Sequence, residues 1–375
     1  MKDKKAQTNI GKIWVVISLL VLVSIVGSYL AITGFATQGQ DIVSVGVLTP
    51  ISGPGSFYGE NIIDGIECAQ EVINNQDRIN GKKIELVIED SQCDGKTALS
   101  GAEKLIGIDD VIGIVGAACS VAVIPMGTLA QSTNTPVIAS AASNPSITDN
   151  PYLFRVNPND LAQSQAVADY IKENLDLKSV GILALNDEYG RGLVEEFKKR
   201  YTSFGGKIKT TEYFAADDKD FKSQIMKLSN SDFEILFIIA APAQHPIIAK
   251  QIRELDKNWI TIAEFNFATV PSEAKNSAMK GTIYPTSIFN KDATKNAQRL
   301  YQCMQSKGKE TDVLNAWGFD ALYVLSEAAS KCKPVSGECV RNNLIGLEYD
   351  GAYGDNVIDS NQEIKNLNFV FLVSD

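Results

Sequence analysis

Stretches that read as buried strands alternate with stretches that read as amphipathic helices along most of this 375-residue chain. No other feature restricts the fold as much. Apolar runs mark strands at Val43–Leu48, Lys83–Glu89, Val111–Val115 and Pro136–Ala139. Helical spacing brings Ile62, Ile66, Ala69 and Ile73 to one face, and predicts further helices over Lys96–Ile106 and Val121–Gln131. After Tyr152–Val156 the rhythm restarts. Helix Leu161–Leu175, strand Ser179–Leu185, helix Glu188–Phe204 and a strand near Lys207–Tyr213 come first. Helix Phe221–Leu228, strand Ile235–Ile239, helix Ala243–Leu255 and strand Trp259–Ala263 follow. Helical runs at Ala293–Ser306 and Leu314–Lys331 precede a terminal strand, Leu367–Val373. Two such rounds predict an α/β protein with two parallel-sheet lobes.

Open parallel sheets bind ligands beyond the carboxyl ends of their strands. The candidate loops are therefore Ser52–Gly59, Cys119-Ser120, Ala141–Asn144, Asn186–Gly190, Ala240–His245 and Glu264–Phe267. The corner at Cys119-Ser120 joins a buried strand to a helix through small residues, so backbone N–H groups and the Ser120 hydroxyl can meet a carboxylate. The simpler alternative is that Ser120 only caps its own helix.

Formal net charge is −10, and the first 36 residues hold four Lys and one Asp, leaving about −13 on the remainder. That balance argues against nucleic acid or anionic lipid as the partner of the main body and says nothing against small ligands. The first 12 residues are basic, and Ile13–Ala36 carries no charge. At about 1.5 Å per residue the apolar stretch spans roughly 36 Å, enough for a transmembrane anchor. The expected order is a cytoplasmic tail over 1–12, an anchor over 13–36, a linker over 37–41 and a ligand-binding part outside. Gly34-Phe-Ala36 also suits cleavage after Ala36, which would release a secreted form.

Outside the cytoplasm, disulfides persist. Cys93 and Cys119 both follow strands on one edge of one sheet, and a bridge across 26 residues stabilises by about 3–4 kcal/mol. Cys332 and Cys339 flank a turn-like segment that a bridge would close. Cys68 and Cys303 fall on helical patterns and read as buried thiols, although the pairing among these four stays open. The single histidine, His245, reads as an exposed loop residue, and neither a zinc site nor a catalytic set is predicted around it.

Ser52-Gly-Pro54 with Tyr58-Gly59, the Cys93/Cys119 pair, Cys119-Ser120, Ala141-Ala-Ser-Asn-Pro145, Asn186-Asp-Glu-Tyr-Gly190 and Gly318-Phe-Asp-Ala321 span nearly all of the chain after the apolar stretch. In that order and spacing they resemble the type I periplasmic binding proteins, closest to the branched-chain amino acid receptors of ABC importers. The resemblance implies two Rossmann-like lobes joined by three crossing strands, with residues 42–157 and 285–349 in one lobe and 158–284 and 350–375 in the other. It implies capture of a small amino-acid-like ligand, an aliphatic amino acid before others, for delivery to an ABC permease, with no cofactor and no catalysis. Ser120 would bind the ligand's carboxylate with help from Ser143 and the local backbone of Ala142. The Ala141 carbonyl and Glu264 would hold the ammonium, and Tyr58 and Tyr189 would close over the ligand. Glu264 could instead be a solvated loop carboxylate, and Asp320 reads as a structural hydrogen-bonding group. Where the family often carries an aromatic residue, this chain has Ala240-Ala-Pro242, which leaves the ligand's identity open.

Two other functions compete. The same fold could serve as a ligand sensor that signals through a partner. Gly53, Gly55 and Gly59 after a strand, with Glu89-Asp90 ending the next, also resemble a dinucleotide fingerprint of an NAD-dependent oxidoreductase. The last glycine spacing is one residue too long for it, and the expected location outside the membrane holds little of that cofactor.

Overall fold

The computed structural model describes residues 42–375 apart from 54, 77–78, 272–273 and 366–368. The expected tail, anchor and linker over 1–41 lie outside the described residues. Among those residues, no helix is long and apolar enough to cross a membrane.

In the first half, β1 (Ile42–Thr49), α1 (Ser56–Gln76), β2 (Lys83–Asp90), α2 (Gly95–Gly107) and β3 (Ile114–Ala117) are followed by the short helices α3 (Ser120–Val123) and α4 (Gly127–Thr133), then β4 (Val137–Ala139) and β5 (Leu153–Arg155). These strands form a five-stranded sheet in the order β2-β1-β3-β4-β5. Pairing from β1 through β3 and β4 to β5 is parallel throughout. Every residue of β3, β4 and β5 is buried, as expected of strands covered on both faces.

The second half runs α5 (Asp160–Tyr170), β6 (Ser179–Leu185), α6 (Glu188–Ser203), β7 (Lys207–Phe214), α7 (Lys222–Leu228), β8 (Ile235–Ile239), α8 (His245–Glu254), β9 (Ile260–Ala263) and β10 (Ile283–Thr286). After it come α9 (Lys295–Ser306), α10 (Val313–Ser330), α11 (Gly337–Leu344), the hairpin strands β11 (Glu348–Asp350) and β12 (Asp355–Val357), and β13 (Val370–Val373). The second sheet has the order β13-β10-β9-β8-β6-β7. Its pairs are parallel except for β13, which runs antiparallel to β10. The fully buried Ile235-Leu-Phe-Ile-Ile239 forms the central strand β8.

Helices α9 and α10 return to the first sheet and pack on α1. The chain therefore passes between the two sheets three times: after β5, after β10 and after β12. On α1, Ile62, Ile66, Ala69 and Ile73 are all buried, on the face that their spacing predicts. The approach of α1 to α10 is close enough that a Cβ added at Gly65 would lie 1.9 Å from the Asn315 carbonyl oxygen. A Cβ added at Gly318 would lie 2.3 Å from that of Ile62.

Several expectations change. Cys68 and Cys303 are not free thiols but a disulfide with Cα atoms 5.9 Å apart, tying α1 to α9. Their separation of 235 positions hides that neighbourhood from any local reading of the sequence. Cys93–Cys119 and Cys332–Cys339 are both bridged as expected. The single helix predicted over Val121–Gln131 is split by a 3₁₀ turn at Ile124–Met126. Pro125 lacks the N–H that a continuous helix needs there. The β11–β12 hairpin, β10 and α11 are additional elements, and the terminal strand begins at Val370.

Candidate functional site

At the carboxyl edge of the first sheet, three loops are tied together by their own polar groups. Asp90, at the end of β2, accepts Ile51 N–H at 2.9 Å, Gln92 N–H at 2.9 Å and the Ser52 hydroxyl at 2.6 Å. Slight burial raises its carboxyl, but the Ser52 hydroxyl and the Gln92, Ile51 and Ser52 N–H groups outweigh it and hold the pKa below the usual range. The glycines of this loop serve packing. A Cβ at Gly59 would sit 1.7 Å from the Pro50 carbonyl oxygen, and one at Gly55 2.4 Å from Cys93 Sγ. The acid and the glycines that suggest a dinucleotide fingerprint are thus spent on holding the loop itself.

Cys119, bridged to Cys93, occupies the N-cap of α3 without a side-chain capping bond. Ser120 does not cap the helix either. Its Oγ accepts Asn144 N–H at 3.2 Å and so joins the β3 corner to the β4 corner, leaving the hydroxyl proton to donate elsewhere. Ser120 and Ser143 are 3% and 2% exposed. Asn144 then reaches the other sheet's loops, donating through Nδ2 to the Glu188 carbonyl at 2.6 Å.

The second sheet contributes the loops after β6, β8 and β9. Asp187 caps α6 by accepting Gly190 N–H at 2.8 Å, and desolvation pushes its carboxyl upward. A Cβ at Gly190 would lie 2.0 Å from the Leu185 carbonyl oxygen, so the turn that presents Tyr189 needs glycine there. Glu264 is completely buried, which rules out the solvated-loop alternative. Its Oε1 accepts Ala240 N–H at 3.2 Å and faces His245 Nε2 at 2.9 Å. Its Oε2 accepts the Tyr189 hydroxyl at 2.7 Å and the Asn266 N–H. His245 is therefore not an exposed loop residue. It is 2% exposed, because α8 starts at His245 and turns its ring inward against Phe267 and Glu264. From the first half of the chain, Tyr58 donates its hydroxyl to Asn266 Oδ1 at 2.5 Å. Burial, and then the charge of Glu264, raise both the Tyr58 and the Tyr189 hydroxyls well above their ordinary pKa.

A cavity of about 270 Å³ lies between these two loop edges. Tyr58, Ser120, Ala141, Ala142 and Tyr189 line it. Ser143 lines a small adjoining cavity of about 20 Å³ that shares Tyr58, Ala141, Tyr189 and Asn266. Six of the seven residues singled out from the sequence thus converge. The seventh, Glu264, lies behind Tyr189 and reaches neither cavity wall. Asp187, Asn266 and Pro242 are wall residues whose loops were expected but whose side chains were not, and Leu185 joins them from the end of β6. Alternation marks where loops fall, whereas side-chain direction within a loop depends on turn geometry that the pattern does not carry. With Ala118, Ala241 and Pro242 also on it, the wall joins a few polar groups to an apolar surface suited to a small amphiphile. Among the described residues, no group of three or more His, Cys, Asp or Glu is arranged to hold a metal ion. Asp320 lies away from this wall, where it accepts the Ala352 and Tyr353 N–H groups, the structural role expected of it.

The family profile described as periplasmic binding protein matches residues 42–372. The chain belongs to the periplasmic binding protein family. This binding protein is 25% identical over 350 residues to the leucine-, isoleucine-, valine-, threonine- and alanine-binding protein of Pseudomonas aeruginosa, an alignment covering 91% of this chain and 92% of that one. In fold it is similar to the leucine binding protein LivK of Thermotoga maritima, with a TM-score of 0.79 and 24% identity over 88% of this chain and 99% of the other. It is also similar to an ABC transporter solute binding protein of Rhodopseudomonas palustris in complex with 3,4-dihydroxybenzoic acid. There the TM-score is 0.77 and the identity 22%, over 89% and 93% of the two chains. The fold is that of a type I periplasmic binding protein.

Proposed function

We propose that this protein captures a small amino-acid-like carboxylate between two lobes outside the membrane and delivers it to an ABC-type permease. The observation that carries this reading is the cavity between the carboxyl edges of the two sheets, with the Ser120 hydroxyl on one side and Tyr189 on the other. Residues 42–157, with the segment from the end of β10 through β12, form one lobe, and the second sheet from α5 to β10, with β13, forms the other. The three passages between the sheets act as the hinge. The ligand's carboxylate accepts the free Ser120 O–H, with Ser143 and the backbone around Ala142 beside it. The Ala141 carbonyl faces the 2-substituent, and Tyr58 and Tyr189 cover it from the two lobes. An apolar tail lies against Leu185, Ala241 and Pro242, which favours an aliphatic amino acid. The names of the amino-acid-binding relatives point the same way. Residues 13–36 anchor the chain in the cell membrane, with the basic tail inside.

A thermal-shift panel tests this reading with L-leucine, L-isoleucine, L-alanine, 4-hydroxybenzoate, glucose and NAD. Aliphatic amino acids are expected to raise the melting temperature. Ligand at a hundred times its Kd stabilises by about 2.7 kcal/mol. A shift with glucose or NAD alone would remove the proposal.

A further inference from the structure

We infer that the ligand's 2-substituent is received by the hydroxyl oxygens of Tyr58 and Tyr189 acting as acceptors, not by the Glu264 carboxylate, so that 2-hydroxy acids are ligands of this site beside 2-amino acids. The inference rests on the reading of the cavity as the seat of an amino-acid-like carboxylate.

An ionised carboxylate offers about four lone-pair sites. In Glu264 all four are met: Ala240 N–H and His245 Nε2 at Oε1, the Tyr189 hydroxyl and Asn266 N–H at Oε2. The residue is also fully buried and absent from both cavity walls. An ammonium in the cavity would have to displace one of these donors to reach it.

The tyrosines offer the opposite. Each phenol has one proton. That of Tyr189 goes to Glu264, 2.7 Å away. The orientation of the Asn266 amide is fixed by its Nδ2 donating to the Ala240 carbonyl at 3.1 Å. Its Oδ1 therefore has to accept, and Tyr58 has to donate to it. With both protons turned into the protein, what each phenol has left for the cavity is lone pairs, and both tyrosines line both cavities. The buried charge of Glu264 and its pairing with His245 polarise Tyr189 at one remove. Asp187 is the carboxylate on the cavity wall among the described residues, and it already accepts Gly190 N–H at the positive end of α6. Neutral oxygens of this kind accept an O–H nearly as well as an N–H.

The test is calorimetric titration of the intact protein with L-leucine and with its hydroxy counterpart, (S)-2-hydroxy-4-methylpentanoate. With neutral acceptors the hydroxy acid is expected to bind within about tenfold of L-leucine. A direct pairing with a buried carboxylate would separate the two by a hundredfold or more, and that result would overturn the inference. Tyr189→Phe is expected to weaken the hydroxy acid at least tenfold, and unchanged affinity would contradict it. Asp187→Asn, which keeps a capping side chain, is expected to leave the ratio between the two ligands unchanged. A large loss confined to L-leucine would assign the ammonium to Asp187 instead. If neither compound binds, the amino-acid-like reading of the cavity falls and this inference with it.

Discussion

Asp160 is buried at the first passage between the sheets, beside Ser143 and the α6 residue Gly192. Burial drives its carboxyl up to about 7, with the Ser143 hydroxyl and the Arg155 guanidinium opposing and the charges of Glu264 and Asp187 adding. In the unfolded chain an aspartate titrates near 3.9. The folded protein therefore binds this proton more tightly, so the associated stability is fully present below about pH 4 and is lost as pH rises through about 7. Relative to wild type, Asp160→Asn is expected to gain melting temperature as pH rises from 4.5 to 8, read from paired melts across that window. A difference that stays constant with pH would contradict this account. Nothing local announces the group, because an acid in the first turn of a helix is ordinarily a solvated partner of the helix dipole. The same blindness covers Glu264 and His245. Their partners come from different loops, and only the tertiary fold turns a loop acid and a lone histidine into a buried pair. Ser120 was legible because its corner is local: a buried strand, small residues, then a hydroxyl at a helix start.

Among the elements, α1 and α10 hold the first half together. The capping box of Asp312 and Asn315 sets the start of α10. The glycines at 65 and 318 let each helix backbone touch the other. Gly65→Ala would drive a methyl into the Asn315 carbonyl, and overpacking of this kind typically costs about 1–3 kcal/mol. A lower midpoint in chemical denaturation, with an unchanged slope, is expected. An unchanged midpoint would mean that the helices separate without penalty. The long helices were legible because each repeats one hydrophobic period over many residues, and the central strands because they are unbroken apolar runs, as in Ser179–Leu185 and Ile235–Ile239. Three-residue strands such as Glu348–Asp350 and Asp355–Val357 are too short to show a period, so their pairing was not.

At the scale of the whole molecule, two parallel sheets present their carboxyl edges to one cavity, and three chain passages link them. That architecture follows from strand–helix alternation, since parallel strands need crossovers and crossovers leave loops on one edge. What alternation cannot convey is how the two edges face each other, or which loop side chains turn inward. In the proposed binding mode that facing geometry lets the first sheet's paired corners grip a solute's acid group while the second sheet's loops cover it. The most direct measurement is a crystal structure of the protein grown with L-leucine. The account predicts the amino acid between the two sheets, with a carboxylate oxygen about 2.6–3.0 Å from Ser120 Oγ. Leucine seated elsewhere, or turned so that its carboxylate faces away from Ser120, would contradict it.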